Sequence, residues 1–163
     1  MSWRIRQAGY ADLEAAAQAK ALSWLESLDE LLPEDVLRHQ LDPERLSRTV
    51  ASWGEAMEAG GYLWVVVGGG VEIMGVAQAG FARDADAPTP LELYVMYLRR
   101  EVQGSGVADA LLQTVVGDAP AYLWVLSGND RAHSFYRRHG FSPNGTTKPV
   151  EGLGIDKERW VRG

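Results

Sequence analysis

The chain has no cysteine, which excludes a disulfide framework, a thiolate metal site and a cysteine acyl-enzyme. Long apolar runs are missing too: stretches such as Leu63 to Val67 fall far short of the ~20 residues that span a bilayer. The opening Met-Ser-Trp-Arg-Ile-Arg has no apolar signal core, so a cytoplasmic protein without a membrane partner is expected. Positive charge is in deficit. With 16 basic and 22 acidic residues the formal net charge is −6, which argues against a general nucleic-acid binder. That balance suits a cationic amine partner, and solubility explains it equally well. The histidines, His39, His133 and His139, hold no metal-ligand spacing with acids or with one another, so no metal is expected. His133 and His139 read as exposed polar positions. There is no internal repeat, linker or low-complexity segment.

What is present suffices for one domain, residues 1–163, with a real core: 163 residues, 46% hydrophobic and 23% charged. Trp3 to Arg6 alternates apolar and charged, as a half-buried strand does. Asp12 is placed to cap a helix whose Leu13, Ala16, Ala17, Ala21, Trp24 and Leu28 share one face. Pro33 to Leu37 reads as a helical turn. Asp42 and Pro43 start a further helix with an apolar stripe at Leu46, Val50, Trp53 and Met57, and Gly60-Gly61 ends it. Tyr62 to Val67 and Val71 to Phe81 then read as strands around Gly68-Gly69-Gly70, with Gly75 a candidate bulge.

Leu91 to Phe141 is the informative stretch. Leu91 to Leu98 is a buried strand by composition, and Gln103-Gly104-Ser105-Gly106-Val107-Ala108 runs from it into a helix that stops at Gly117. Glycines at such a turn let the backbone approach a ligand, while the new helix offers unpaired N–H groups and its positive dipole end. A phosphate or pyrophosphate fits. Neither the G-x-G-x-x-G fingerprint nor a Gly-Lys-Ser/Thr P-loop is present. Tyr122 to Leu126 is the next strand, and a helix opens at Asn129. Weak strands are expected about Asn144 to Lys148 and Lys157 to Val161.

Gln103-x-x-Gly106-x-Ala108 resembles the acyl-coenzyme A loop of the GNAT superfamily of N-acetyltransferases. Asn129-x-x-Ala132-x-x-Phe135-Tyr136-x-x-x-Gly140-Phe141 is similar to that family's second element. The element order, β-α-α-β-β-β-α-β-α-β-β, is an α/β arrangement with a mixed central sheet, similar to the GNAT fold; the resemblance implies a splayed cofactor cleft. Two departures are Arg100, where the family often has proline, and the short helix after the loop.

The resemblance implies direct transfer of an acetyl group from acetyl-coenzyme A to a small-molecule or peptide amine, mostly by positioning the two substrates. Backbone N–H groups of Gly104, Ser105, Gly106, Val107 and Ala108, after Gln103, would cradle the pyrophosphate. The edge of Met96, Tyr97 and Leu98 would pair with pantetheine amides, and an N–H there would stabilise an oxyanion, a contact worth about 3–4 kcal/mol. Asn129 would cap its helix and add a cofactor hydrogen bond. Arg131 would reach a 3′-phosphate or lie in solvent. Tyr136, a phenol of pKa about 10, stays protonated and can donate to a thiolate whose conjugate acid has a pKa of about 8.5; core packing is the alternative.

Glu92 lies eleven residues before Gln103, the spacing of the general base in histone-type members of the family; the alternative is a solvated strand-end carboxylate. Tyr94 would share that role or shape the acceptor pocket. The acidic stretch Glu26 to Glu30 and Trp24 lie where the family builds its acceptor pocket, which suggests a cationic acceptor. A homodimer is left open. Two other readings are a non-catalytic acyl-coenzyme A sensor and a nucleotide-binding or tRNA-directed protein, the latter opposed by the acidic balance.

Overall fold

The computed structural model describes residues 2–163. In chain order the elements are β1 (Arg4–Gln7), α1 (Leu13–Ser27), α2 (Glu34–His39), α3 (Pro43–Glu58), β2 (Trp64–Val67), β3 (Ile73–Phe81), β4 (Leu91–Leu98), α4 (Val107–Val116), β5 (Ala121–Leu126), α5 (Asp130–Arg138), β6 (Ser142–Pro149) and β7 (Asp156–Arg162). The expected order is present, with α2 added where a single helical turn was expected. Its acids Glu34 and Asp35 open it and Arg38 and His39 close it, as the helix dipole favours. An i,i+4 pair joins Arg38 to Glu34 at 2.8 Å.

The seven strands form one sheet in the order β1-β2-β3-β4-β5-β7-β6. The ladders β1–β2, β2–β3, β5–β7 and β6–β7 are antiparallel, and β4–β5 is parallel. Backbone contacts group the chain into two compact units, one made of residues up to Gln78 with Val95–Val115, the other of Ala79–Tyr94 with Val116–Gly163.

In the first unit β2 is a continuous apolar run because both its faces are covered. Val65 and Val67 pack with Leu13, Ala16, Ala17, Trp53 and Val76. Val66 turns the other way, toward Met74, Leu98, Val102, Val107 and Leu111, as side-chain alternation requires. The bulge expected at Gly75 falls one residue earlier: Val66 pairs with Gly75 and Val67 with Ile73, leaving Met74 as the extra residue. Gly75 has a different reason to be glycine. A Cβ there would lie 2.4 Å from Leu98 Cδ2 and 3.0 Å from the Tyr97 carbonyl oxygen, so the backbone of β4 approaches closely only because no side chain intervenes.

Asp12 also departs from expectation. Its carboxylate does not cap α1; it accepts from the Gly9 N–H at 2.8 Å and from both terminal nitrogens of Arg6 at 2.8 and 3.0 Å. The side chain closes the 3-10 turn Tyr10–Asp12 ahead of the helix.

In the second unit Tyr122, Leu123, Phe141 and Trp160 are buried. Arg162 donates to the carbonyls of Gly117, Ala119 and His139, holding the ends of two helices to β7. His133 is packed rather than exposed: its ring stacks on Trp160 with centroids 4.7 Å apart. His139 likewise lies against the Phe135 ring, at 4.7 Å. No helix among the described residues is long and apolar enough to cross a membrane.

Candidate active site

In the first unit the 3-10 turn Arg100–Val102 leads from β4 into the glycine loop. Gly104 and Gly106 have φ of 79° and 86°, and a Cβ at either would meet nothing within 4 Å. Glycine is required there by backbone handedness, not by crowding. The two left-handed residues flank Ser105, whose hydroxyl donates to the Val102 carbonyl. The first intrahelical bond of α4 runs from Ala110 N to Gly106 O at 3.3 Å, so the amides of Val107 and Ala108 precede the helical ladder. Alternating turn and helix-start amides of this kind make an anion-binding concavity. The chain around it is fixed: Val102, Val107 and Leu111 are fully buried.

Gln103 ties that loop to the strand before it. Its Nε2 donates to the Leu98 carbonyl at 3.1 Å. Its Oε1 is buried without a hydrogen-bond partner, an acceptor that a ligand N–H or a water satisfies. Glu26, at the end of α1, clamps the same region. It accepts from Arg99 Nε and Nη2 at 2.9 and 3.2 Å and from the Arg100 N–H at 3.0 Å, and the Arg100 guanidinium donates to the Glu26 carbonyl. Burial alone would raise the Glu26 carboxyl's pKa, but these donors bring it below its usual value. The acidity that suggested a cationic acceptor is therefore largely neutralised at Glu26. Met96 and Tyr97 are half-buried on β4 and Leu98 is buried. Burial also raises the Tyr97 phenol's pKa, an effect partly offset by the nearby Trp24 indole.

In the second unit Glu92 is not the solvated strand-end carboxylate of the alternative reading. Only 1% of it is exposed. Its Oε1 accepts from the Arg83 N–H at 3.0 Å and the Tyr122 hydroxyl at 2.8 Å, and its Oε2 from Arg83 Nη2 at 2.7 Å. The β4–β5 register places Glu92 directly opposite Tyr122, which is why the hydroxyl reaches it. Burial pushes the carboxyl up, but Arg83 and Tyr122 together hold it below the ordinary glutamate value. The Tyr122 phenol, buried and bonded to that carboxylate, is pushed up to about 12. Tyr94, on the same face of the strand, donates to the Phe81 carbonyl and lies under Arg83, whose guanidinium carbon is 4.0 Å from the ring centroid. Arg83 and Tyr122 escaped sequence reasoning: one sits in an aperiodic loop, and the other's importance depends on strand register.

Asn129 caps α5, its Oδ1 accepting from the Ala132 N–H at 3.3 Å. Arg131 is exposed on the first turn. Tyr136 is 9% exposed; its ring meets Phe135 and Phe141 edge-on, with centroids 5.3 and 5.8 Å apart. No group of three or more potential metal ligands occurs among the described residues.

The profile of the acetyltransferase (GNAT) family matches residues 21–141. No curated protein sequence matches the chain significantly. Among solved structures the chain is similar to the PaiA N-acetyltransferase of Thermoplasma acidophilum, solved in complex with coenzyme A, at 17% identity and a TM-score of 0.69, covering 97% of this chain and 98% of that one. It is similar to an N-acetyltransferase of Staphylococcus aureus at 17% identity and a TM-score of 0.71, with 99% and 98% covered. It also resembles a phosphinothricin acetyltransferase of Sinorhizobium meliloti, solved with acetyl-coenzyme A, at 19% identity and a TM-score of 0.71, with 99% and 88% covered. At these identities the structural likeness speaks for the fold, while the profile covers most of the sequence, including both the glycine loop and the Asn129 to Phe141 element; the chain belongs to the GNAT acetyltransferase family.

Proposed function

We propose that the protein is an acetyl-coenzyme A-dependent N-acetyltransferase passing its acetyl group directly to a primary amine. The observation that carries this is the paired left-handed conformation of Gly104 and Gly106 at the start of α4, which leaves amides for a pyrophosphate. The unpartnered Gln103 Oε1 fits a ligand that brings its own N–H groups. Gln103 to Ala108 hold the pyrophosphate, and the backbone of Met96, Tyr97 and Leu98 pairs with pantetheine amides. Asn129 and Arg131 add polar contacts to the cofactor. The Tyr136 hydroxyl supplies a proton to the departing sulfur. Glu92 receives the ammonium proton, directly or through water. Bound acetyl-coenzyme A supplies the activated acyl group.

A second reading, a non-catalytic acyl-coenzyme A-binding module, draws support from the Glu92 clamp, since a carboxylate held by Arg83 and Tyr122 accepts a proton less readily. Calorimetry with coenzyme A and thiol release across an amine panel separate the two. Binding with turnover supports the enzyme, and binding without turnover supports the sensor. Tyr136→Phe is expected to slow turnover by about a hundredfold or more while coenzyme A still binds. Unchanged turnover would remove Tyr136 from the chemistry.

A further inference from the structure

We infer that Lys20 on α1 and Arg45 on α3 form a binding site for a carboxylate carried by the acceptor amine. The inference rests on the acetyltransferase reading for the word acceptor, but not for the anion site itself.

The two helices pack on each other in the first unit. The Lys20 ammonium lies over two aromatic rings, 6.0 Å from the Trp53 centroid and 5.8 Å from that of Tyr97. Neither Lys20 nor Arg45 has a carboxylate partner among the described residues. Arg45 Nε is buried and lacks an acceptor, and the buried Trp24 Nε1 has none in hydrogen-bond geometry. Trp24 packs on the same Tyr97 ring, with centroids 6.1 Å apart. Burial, and then the Arg45 charge, lower the Lys20 amine's pKa.

Two cations on packed helices, one over aromatic rings and one with a buried N–H that lacks an acceptor, are costly without an anion unless something completes them. A carboxylate supplies what is missing: negative charge, and two oxygens able to accept from several donors. The chain as a whole carries −6, so an anion is held against the general field, and only at a local concentration of positive charge. Glu26, the acid at the end of α1, is occupied by Arg99 and Arg100 and is not open to a cationic acceptor. Tyr97 connects the cluster to the strand assigned to pantetheine, so a bound carboxylate orients the amine of an amino-acid-like acceptor.

The test titrates the intact protein with succinate, an anion with no amine, in the absence and presence of coenzyme A. Saturable binding is expected, weakened about tenfold or more by Lys20→Met and by Arg45→Met and unchanged by Lys148→Met, a control in the second unit. Coenzyme A heat should persist in all variants. In turnover, an amino acid should exceed its decarboxylated amine in kcat/KM, a preference that Lys20→Met removes. Absent succinate binding, wild-type succinate affinity in both cluster variants, or a loss confined to Lys148→Met overturns the site. Succinate binding without coenzyme A binding sinks the acetyltransferase reading and upholds the anion site. Should Lys20→Met fail to fold, Arg45→Met decides.

Discussion

Arg99 Nε lies 2.9 Å from Glu26 Oε1, and this pair joins the end of α1 to the start of the turn that delivers the glycine loop. Both side chains are about a quarter exposed, at 28% and 24%, so the contact is screened only in part. Glu26→Ala is expected to cost about 1–2 kcal/mol, read as a fall in melting temperature of about 2–8 °C. Coenzyme A affinity should fall as well, because the loop loses its tether. Calorimetry showing undiminished affinity would make the pair purely structural.

Acid should destabilise the fold through Glu26 and Glu92, whose carboxyls both lie below the ordinary value when folded. For a depressed pKa the stabilisation is fully present above the unfolded value, about 4.3 for glutamate, and is lost as pH falls through the folded value. Melting curves from pH 7 to pH 3 should show this loss, and Glu92→Gln should flatten part of it. If Glu92 also accepts the ammonium proton, its own limb in the rate profile lies below that same value. A limb near neutral pH would belong to another group.

Gly106→Ala tests the loop's handedness in isolation. A Cβ there meets nothing within 4 Å, so the expected cost of about 1–2 kcal/mol comes from holding φ at 86°. The variant should fold and bind coenzyme A more weakly. Equal binding would mean that the left-handed backbone serves only the turn.

Gly75→Ala should do the opposite kind of damage. Its Cβ would collide with Leu98 and crowd the Tyr97 carbonyl, an overpacking worth about 1–3 kcal/mol. Displacement of β4 should reach Met96 to Leu98 and weaken coenzyme A binding together with stability. A melting temperature equal to wild type would show that the strands separate without cost.

Much of this was legible in the chain itself. Leu91–Leu98 and the short helix ending before Gly117 were readable because composition, glycine and proline act locally. Asn129 was readable as a cap because capping needs only the next three residues. Asp12 does not cap α1 because Arg6 and the Gly9 N–H take its carboxylate, and Gly75 answers to the packing of Leu98, a contact distant in the chain, while the bulge falls at Met74. Glu92 is singled out by the family resemblance, through its distance from Gln103, and only the fold shows that Arg83 and Tyr122 hold it.

The amino-acid sequence by itself determined the order of elements and the glycine loop before α4, since these follow from periodicity and from which residues tolerate a left-handed backbone. Tertiary structure decided which charges are neutralised: Glu26 by Arg99 and Glu92 by Arg83, with Lys20 and Arg45 left without a carboxylate. Charge pairing depends on distances of a few ångströms between segments far apart in the chain, and only folding fixes those distances.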